Sequence, residues 1–415
     1  MCVTMLNIFS ENFSKMKSLR KLTILGGSSP FTVELINCIR EGNLENQIGP
    51  YHLFLFGRNE RNLQLLFEYS RFNLDKIGWK VDFSTNINHA LYGSSVVIHQ
   101  SRYGGLEGRL DDEIFASKMG VPSDETLGPS GLKSALRMAS DLKVLARKIS
   151  SLCPEALIIN LTNPLSIAVS ILHHEGVSNI LGICELPLVT LDKVADILKI
   201  PTEQLHWEYS GLNHRGFIHG IKLQGQDVMP LFLDRISISG FDGFHNSLIE
   251  NLEAIPLKYF HLFYKAHFNQ VRANQVKLIG ESIIDELILN PIKSPVSLKH
   301  RTMDWYRKGI IPVLQSINSS KSAILIINKP TINTLTIESK AYVSNDKITL
   351  IKSAKPPAQV RKWLEIFVEH EKATFKAAMD PSPNNISSVL NSDPLVASSN
   401  VKAICKSILK TYNRT

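Results

Sequence analysis

The stretch "LTILGGSSPFT" joins a β-branched apolar run to Gly26, Gly27, Ser28 and Ser29, and then to an amphipathic pattern. Strand, tight turn and helix start in that order suit a dinucleotide pyrophosphate, because backbone N–H groups and the positive end of the helix dipole converge on the turn. The four residues do not spell GxGxxG, and serine capping of an ordinary strand–helix turn is the competing reading. The ribose of such a cofactor normally meets an acid at the end of the second strand. That place holds Gly57 and Arg58. An arginine there can pair with a 2′-phosphate, so NADP stands beside NAD, with a plain surface arginine as the alternative. Further along, "GICELP" sets Cys184 beside Glu185 at the end of another apolar run. A lone cysteine in that position usually just packs.

The elements needed to position these residues are visible in the pattern. "RKLTIL", "YHLFLF", "SSVVIHQ", "ALIINLTNP" and "NILGICELP" are short apolar runs ending in polar or turn residues, with helical stretches such as "GLKSALRMASDLKVLARKIS" between them. Strands alternating with helices predict an α/β fold with a Rossmann-like, doubly wound parallel sheet. Beyond residue 200 longer helices dominate ("QVRANQVKLIGESIIDELIL", "VRKWLEIFVEHEKATFKAAM"), with a few strand-like runs such as "SAILIIN". The reading is an N-terminal extension over residues 1–20, a dinucleotide-binding domain over 21–195 and a mixed α+β substrate- and metal-binding domain over 196–415. "DPSPNNISS" reads as a loop between late helices.

At 415 residues, 44% hydrophobic and 20% charged, the composition is that of a soluble globular protein too long for one core. No apolar run is long enough to span a bilayer, and the first residues lack the basic patch, apolar stretch and cleavage site of a signal peptide, with Met16 as an alternative start. The net charge of +8 is spread along the chain without a basic cluster, which argues against nucleic acid and leaves anionic small molecules as partners. Five scattered cysteines with no CxxC pair suit a reducing compartment.

Taken together, "RYGGLEGRLDDEI", "DETLGPSGLKSALR", "NLTNPLSIAV", "GICELPL", "GLNHRGF", "IPLKYFHLFY" and "VRANQVKLIGE" resemble, in this order and at similar spacing, the family 4 glycoside hydrolases. These are NAD- and divalent-metal-dependent 6-phospho-glycosidases, exceptions among glycosidases that use two carboxylates. The resemblance implies a C-terminal domain of the lactate/malate-dehydrogenase type and a redox elimination. NAD+ takes hydride from C3, a base removes the acidified C2 proton, the glycosidic oxygen leaves, water adds, and the ketone is reduced back. The metal acts as a Lewis acid on the C2 and C3 oxygens.

The same resemblance assigns roles. Cys184 and His214 match the two protein ligands of a divalent metal, manganese in the family, and a thiolate with an imidazole suits such an ion. Tyr259 matches the base for the C2 proton. Arg109 and Arg272 match positions that hold the 6-phosphate, a task suited to forked guanidinium donors. Asn163 and Glu125 match sugar-contacting positions, while Gly26, Gly27, Ser28, Ser29 and Arg58 remain the cofactor residues. Glu185 occupies the place where α-cleaving members often carry an aspartate proposed as general acid and β-cleaving members an asparagine, and a carboxylic acid here could protonate the departing oxygen. Pro330 stands in "NKPTI" where the family has glycine. The expected protein is a cytoplasmic homodimer or homotetramer acting on phosphorylated sugars. The alternatives are a relative acting on unphosphorylated or uronic acid glycosides, and a malate- or lactate-type NAD(P) dehydrogenase.

Overall fold

The computed structural model describes residues 19–42, 48–122, 124–264, 272–319, 322–345 and 347–412. The first part alternates strand and helix: β1 (Arg20–Leu25), α1 (Thr32–Gly42), β2 (Tyr51–Phe56), α2 (Glu60–Leu74), β3 (Lys80–Ser84), α3 (Ile87–Leu91), β4 (Ser94–His99), α4 (Gly105–Lys118), α5 (Gly128–Leu152), β5 (Leu157–Asn160), α6 (Leu165–His174), β6 (Ile180–Gly182) and α7 (Leu186–Leu198). Strands β1 to β6 lie side by side in the order 3-2-1-4-5-6, all parallel, which is the doubly wound arrangement expected of a dinucleotide fold. Neighbouring residues of one strand serve opposite faces: Val97 and Ile158 join one core, Val96 and Ile159 the other. Helices α5 and α6 cover the first face and α1 and α2 the second. This is why the strands read as unbroken apolar runs.

The chain then turns antiparallel. Strands β7 (Leu205–Leu212), β8 (Arg215–Leu223), β9 (Gln226–Asp227) and β10 (Ile255–Pro256) are followed, after α8 (Met229–Arg235), α9 (Asn246–Leu252), α10 (Arg272–Leu289) and α11 (Ile311–Asn318), by β11 (Ala323–Pro330), β12 (Thr336–Val343) and β13 (Ile348–Leu350). Helices α12 (Ala358–Met379), α13 (Pro383–Ser392) and α14 (Val401–Tyr412) complete it. β11 pairs antiparallel with β6 at Asn328 and Gly182, so one 13-stranded sheet runs through both halves. Both large cores also mix residues from before and after residue 196: Leu22 and Ile24 pack with Val276 and Ile327 in one of them.

One expectation changes. The "DPSPNNISS" segment holds the start of α13, because Ser382 accepts from Asn385 N at its N-cap and Pro383 occupies the first helical position. Residues 1–18, Met16 included, lie outside the described residues. Pro330 ends β11 opposite Thr336, where a missing N–H interrupts no ladder. No helix among the described residues is long and apolar enough to cross a membrane.

Candidate active site

The Gly26–Gly27 turn crosses over the ends of β2 and β4. Both backbone N–H groups donate to Phe56 O, at 3.0 and 2.7 Å. A Cβ on Gly26, whose φ is +95°, would lie 3.0 Å from the Gln100 carbonyl, and one on Gly27 would lie 3.0 Å from Leu55 Cβ. Only glycine fits at that approach. Gly26, Ser28, Ser29 and Arg58 line a cavity of about 980 Å³ that runs from this turn to Arg109, Glu125, Asn163, Cys184, Glu185, His214, Tyr259 and Arg272. Gly27 sits beneath the cavity surface instead of on it. The structure thus gathers every candidate residue but one around a single hollow.

Cys184 leaves the end of β6 and Glu185 caps α7. His214 sits at the tip of the β7–β8 hairpin, in a two-residue turn closed by the Leu212–Arg215 pair. Its φ of 63° is the left-handed region, where a non-glycine residue costs about 1–3 kcal/mol and persists only if its surroundings hold it. Asp124 Oδ1 lies 3.4 Å from His214 Nδ1 and also accepts the Thr126 and Leu127 N–H groups. With the proton on Nδ1, the other ring nitrogen carries a free lone pair. Burial alone would lower the imidazole pKa, but the bonded Asp124 carboxylate outweighs it and the net shift is upward.

Behind Cys184, the buried Glu338 accepts from Tyr209, from Asn328 at 2.8 Å and from Asn213 at 3.4 Å. Burial, then the nearby Glu185 and Glu338 carboxylates, pushes the Cys184 thiol up. Burial likewise raises the Glu185 carboxyl. The Tyr259 ring stacks on His214 with centroids 4.4 Å apart, and burial with the carboxylates of Asp124 and Glu125 raises its hydroxyl. Among the described residues no three His, Cys, Asp or Glu side chains converge on one point. A metal held here would rest on two protein donors, a thiolate and an imidazole, with its other positions open. That donor chemistry fits a borderline divalent ion.

The opposite wall is cationic. Glu125 is shared: Oε2 accepts from Arg102 Nη1 at 2.7 Å and Arg109 Nη1 at 2.9 Å, and Oε1 accepts from Asn163 Nδ2 at 2.9 Å. Burial favours its neutral form, yet the two guanidinium groups hold its carboxyl well below the usual range. Arg109 is clamped further by Glu113 at 2.8 Å. Arg301 lies over the rings of Phe31, at 4.2 Å, and Trp305, and burial pushes it down to about 10. Among the described residues neither Arg272 nor Arg301 has an ion-pair partner.

Asp124, Arg102, Glu338 and Arg301 were not among the sequence candidates. Asp124 and Arg102 fall inside the "DET" and "RYGG" blocks, so their neighbourhood was the available signal. Arg301 in "KHRT" carried none, since nothing in the local sequence links it to Phe31, the ring it lies over most closely.

Residues 21–200 match the Family 4 glycosyl hydrolase model, and residues 209–396 match the Family 4 glycosyl hydrolase C-terminal domain. A 6-phospho-beta-glucosidase of Thermotoga maritima is 23% identical over 90% of this chain and 94% of its own length. One from Escherichia coli is 26% identical over 75% of each chain. The solved structure of the Thermotoga maritima 6-phospho-beta glucosidase with manganese, NAD+ and glucose-6-phosphate superposes with a TM-score of 0.83 at 22% identity, covering 95% of this chain and 98% of that one. A malate dehydrogenase from Cryptosporidium parvum superposes with a TM-score of 0.55 at 12% identity, covering 87% and 99%, as expected of the shared fold.

Proposed function

The chain belongs to family 4 of the glycosyl hydrolases, and on that premise we propose that it hydrolyses the O-glycosidic bond of 6-phosphorylated glucosides with a nicotinamide dinucleotide and Mn2+ or a similar divalent ion. The observation that carries this reading is the meeting, in one cavity, of a glycine turn, a cysteine–histidine pair and a wall of arginines. Two of those arginines, Arg272 and Arg301, have no ion-pair partner among the described residues, so their donors are free for a phosphate dianion. Relatives named as 6-phospho-alpha- and 6-phospho-beta-glucosidases support the substrate class.

When bound, the dinucleotide supplies a hydride acceptor and the metal a Lewis acid for the sugar oxygens. The remaining work belongs to side chains. Cys184 and His214 hold the ion, and Asp124 fixes the imidazole that presents its free nitrogen. Tyr259, stacked on that imidazole, would take the C2 proton as the phenolate, a form that a divalent cation beside it would favour against the burial that raises its hydroxyl, and Glu185 faces the departing oxygen. Arg109 and Arg272 hold the phosphate, Asn163 and Glu125 contact the sugar, and Glu125 spaces Arg102 from Arg109. Gly26, Gly27, Ser28 and Ser29 form the pyrophosphate turn. Residues 21–195 carry the cofactor and residues 196–415 complete the substrate and metal site.

A phosphorylated substrate places the reaction in the cytoplasm, because its charge keeps it from crossing membranes, and the described cysteines Cys38, Cys153, Cys184 and Cys405 are all free thiols. A homodimer or homotetramer is the expected assembly. The test is turnover of 4-nitrophenyl glucosides of both anomers, with and without a 6-phosphate, in the presence of dinucleotide and Mn2+. Hydrolysis confined to a phosphorylated substrate is expected. Equal rates on the unphosphorylated pair would overturn the substrate class.

A further inference from the structure

The end of the cavity that faces the adenosine ribose lacks what NAD+ needs there. In a parallel sheet of this order, a carboxylate at the end of the second strand receives the ribose hydroxyls of NAD, and an arginine receives the 2′-phosphate of NADP. β2 ends at Phe56 and the chain continues Gly57, Arg58, Asn59. No acid can be accommodated at Gly57. A Cβ there would fall 2.3 Å from Ser28 Oγ and 2.9 Å from Ser28 N, so the serine of the pyrophosphate turn occupies the space that a side chain would take.

The next positions complete the exclusion. Asn59 is engaged as the cap of α2, its Oδ1 accepting from Asn62 N at 3.0 Å. Glu60 is exposed and outside the cavity lining. Among the described residues, the acids that do line the cavity are Glu125, Asp141, Glu185, Glu281 and Asp285, none of them on the β2–α2 turn. Arg58 is exposed, lines the cavity, and has no ion-pair partner among the described residues. Asn62 and Ser28 border the same corner, joined by an Asn62 Nδ2 to Ser28 O bond of 3.4 Å.

We propose that this chain selects NADP+ over NAD+, with the 2′-phosphate received by Arg58 in the corner bordered by Ser28 and Asn62. The selection rests on the dinucleotide reading of the cavity and departs from the NAD+ found in the solved Thermotoga maritima relative. It leaves the nicotinamide end unchanged, since the 2′-phosphate lies at the far end of the molecule.

Direct binding to the purified full chain, read by tryptophan fluorescence or calorimetry, tests it without any turnover. NADP+ is expected to bind at least about tenfold more tightly than NAD+, the effect of one charge-assisted contact to phosphate. Arg58→Ala should weaken NADP+ by about 10- to 100-fold while changing NAD+ by less than about threefold. The fragment 2′,5′-ADP should compete in the parent and fail to in the variant. NAD+ binding as tight as NADP+, or an equal loss of both in Arg58→Ala, overturns the selection while leaving the dinucleotide reading intact. Binding of neither overturns both.

Discussion

Replacing Asp124 by asparagine isolates the contact that orients His214. The carboxylate Oδ1 accepts three donors: Thr126 N at 2.9 Å, Leu127 N at 3.1 Å and His214 Nδ1 at 3.4 Å. An amide oxygen of the same shape keeps the two backbone bonds, so the turn into α5 survives and only the charge facing the imidazole is lost. A hydrogen bond to a charged partner contributes about 1.5–3 kcal/mol and a neutral one about 0.5–1.5, a difference of about 1–1.5 kcal/mol. The 3.4 Å separation is at the long end of the range, which favours the smaller figure. Asp124→Asn should therefore weaken Mn2+ binding by about fivefold, just below the roughly 10- to 100-fold that losing such an outer partner costs. The assay is titration of free Mn2+ by electron paramagnetic resonance, with the melting curve as a control. Unchanged affinity in a folded variant would refute the claim that Asp124 holds the ligand in place.

Cys184→Ser and His214→Ala should each abolish measurable Mn2+ binding yet leave dinucleotide binding within about threefold, because the glycine turn lies at the other end of the cavity; joint loss of both ligands would contradict this separation. Glu125→Gln releases Arg102 and Arg109 from their shared carboxylate, and steady-state kinetics should show KM for the phosphorylated sugar rising by about tenfold or more. Gly57→Ala forces a methyl group against Ser28 and should lower the urea midpoint by the equivalent of about 1–3 kcal/mol; a neutral substitution would show that the turn can move. Stability should also fall in acid. Burial holds His99 and His370 neutral down to about pH 4 and about pH 3, whereas the unfolded chain protonates them near 6.5, so their contribution is intact above 6.5 and is lost as pH drops from there. Asp393, raised to about 6 by burial, opposes this between its ordinary 3.8 and 6, as do the raised carboxyls of Asp112, Glu185 and Glu338, whereas Glu125, held down by Arg102 and Arg109, adds to the loss in acid. Urea midpoints at pH 7 and pH 4.5 decide the sign.

What the sequence made legible follows from locality. β1, β4, β5 and β6 are buried on both faces and, with β2, read as apolar runs punctuated by turns, so the fold class could be inferred, though not the strand order. β3 escaped notice because it is the sheet edge, with Val81 its one buried residue. The start of α13 escaped because serine and proline signal loops as readily as helix starts, and only the Ser382–Asn385 bond distinguishes them. In the active site, the residues placed by the family blocks arrived in one cavity. Their partners did not announce themselves, since Asp124 meets His214 across 90 residues and Glu338 meets Asn213 across 125. Such contacts are fixed by the closing of the sheet between β6 and β11, which no local pattern encodes. The corner at Gly57 and Arg58 is intermediate: the arginine was visible, but the steric closure by Ser28 that forbids an acid needed the structure.

The most direct test of the central claim, redox elimination on a phosphorylated glycoside, is hydrolysis by the enzyme with dinucleotide and Mn2+ in D2O, with the released 6-phosphosugar read by NMR. Removal and return of the C2 proton predict deuterium at C2 of the product and no turnover when the dinucleotide is removed. A product that keeps its original C2 hydrogen, formed equally fast without dinucleotide, would mean direct displacement at the anomeric carbon and would contradict the account.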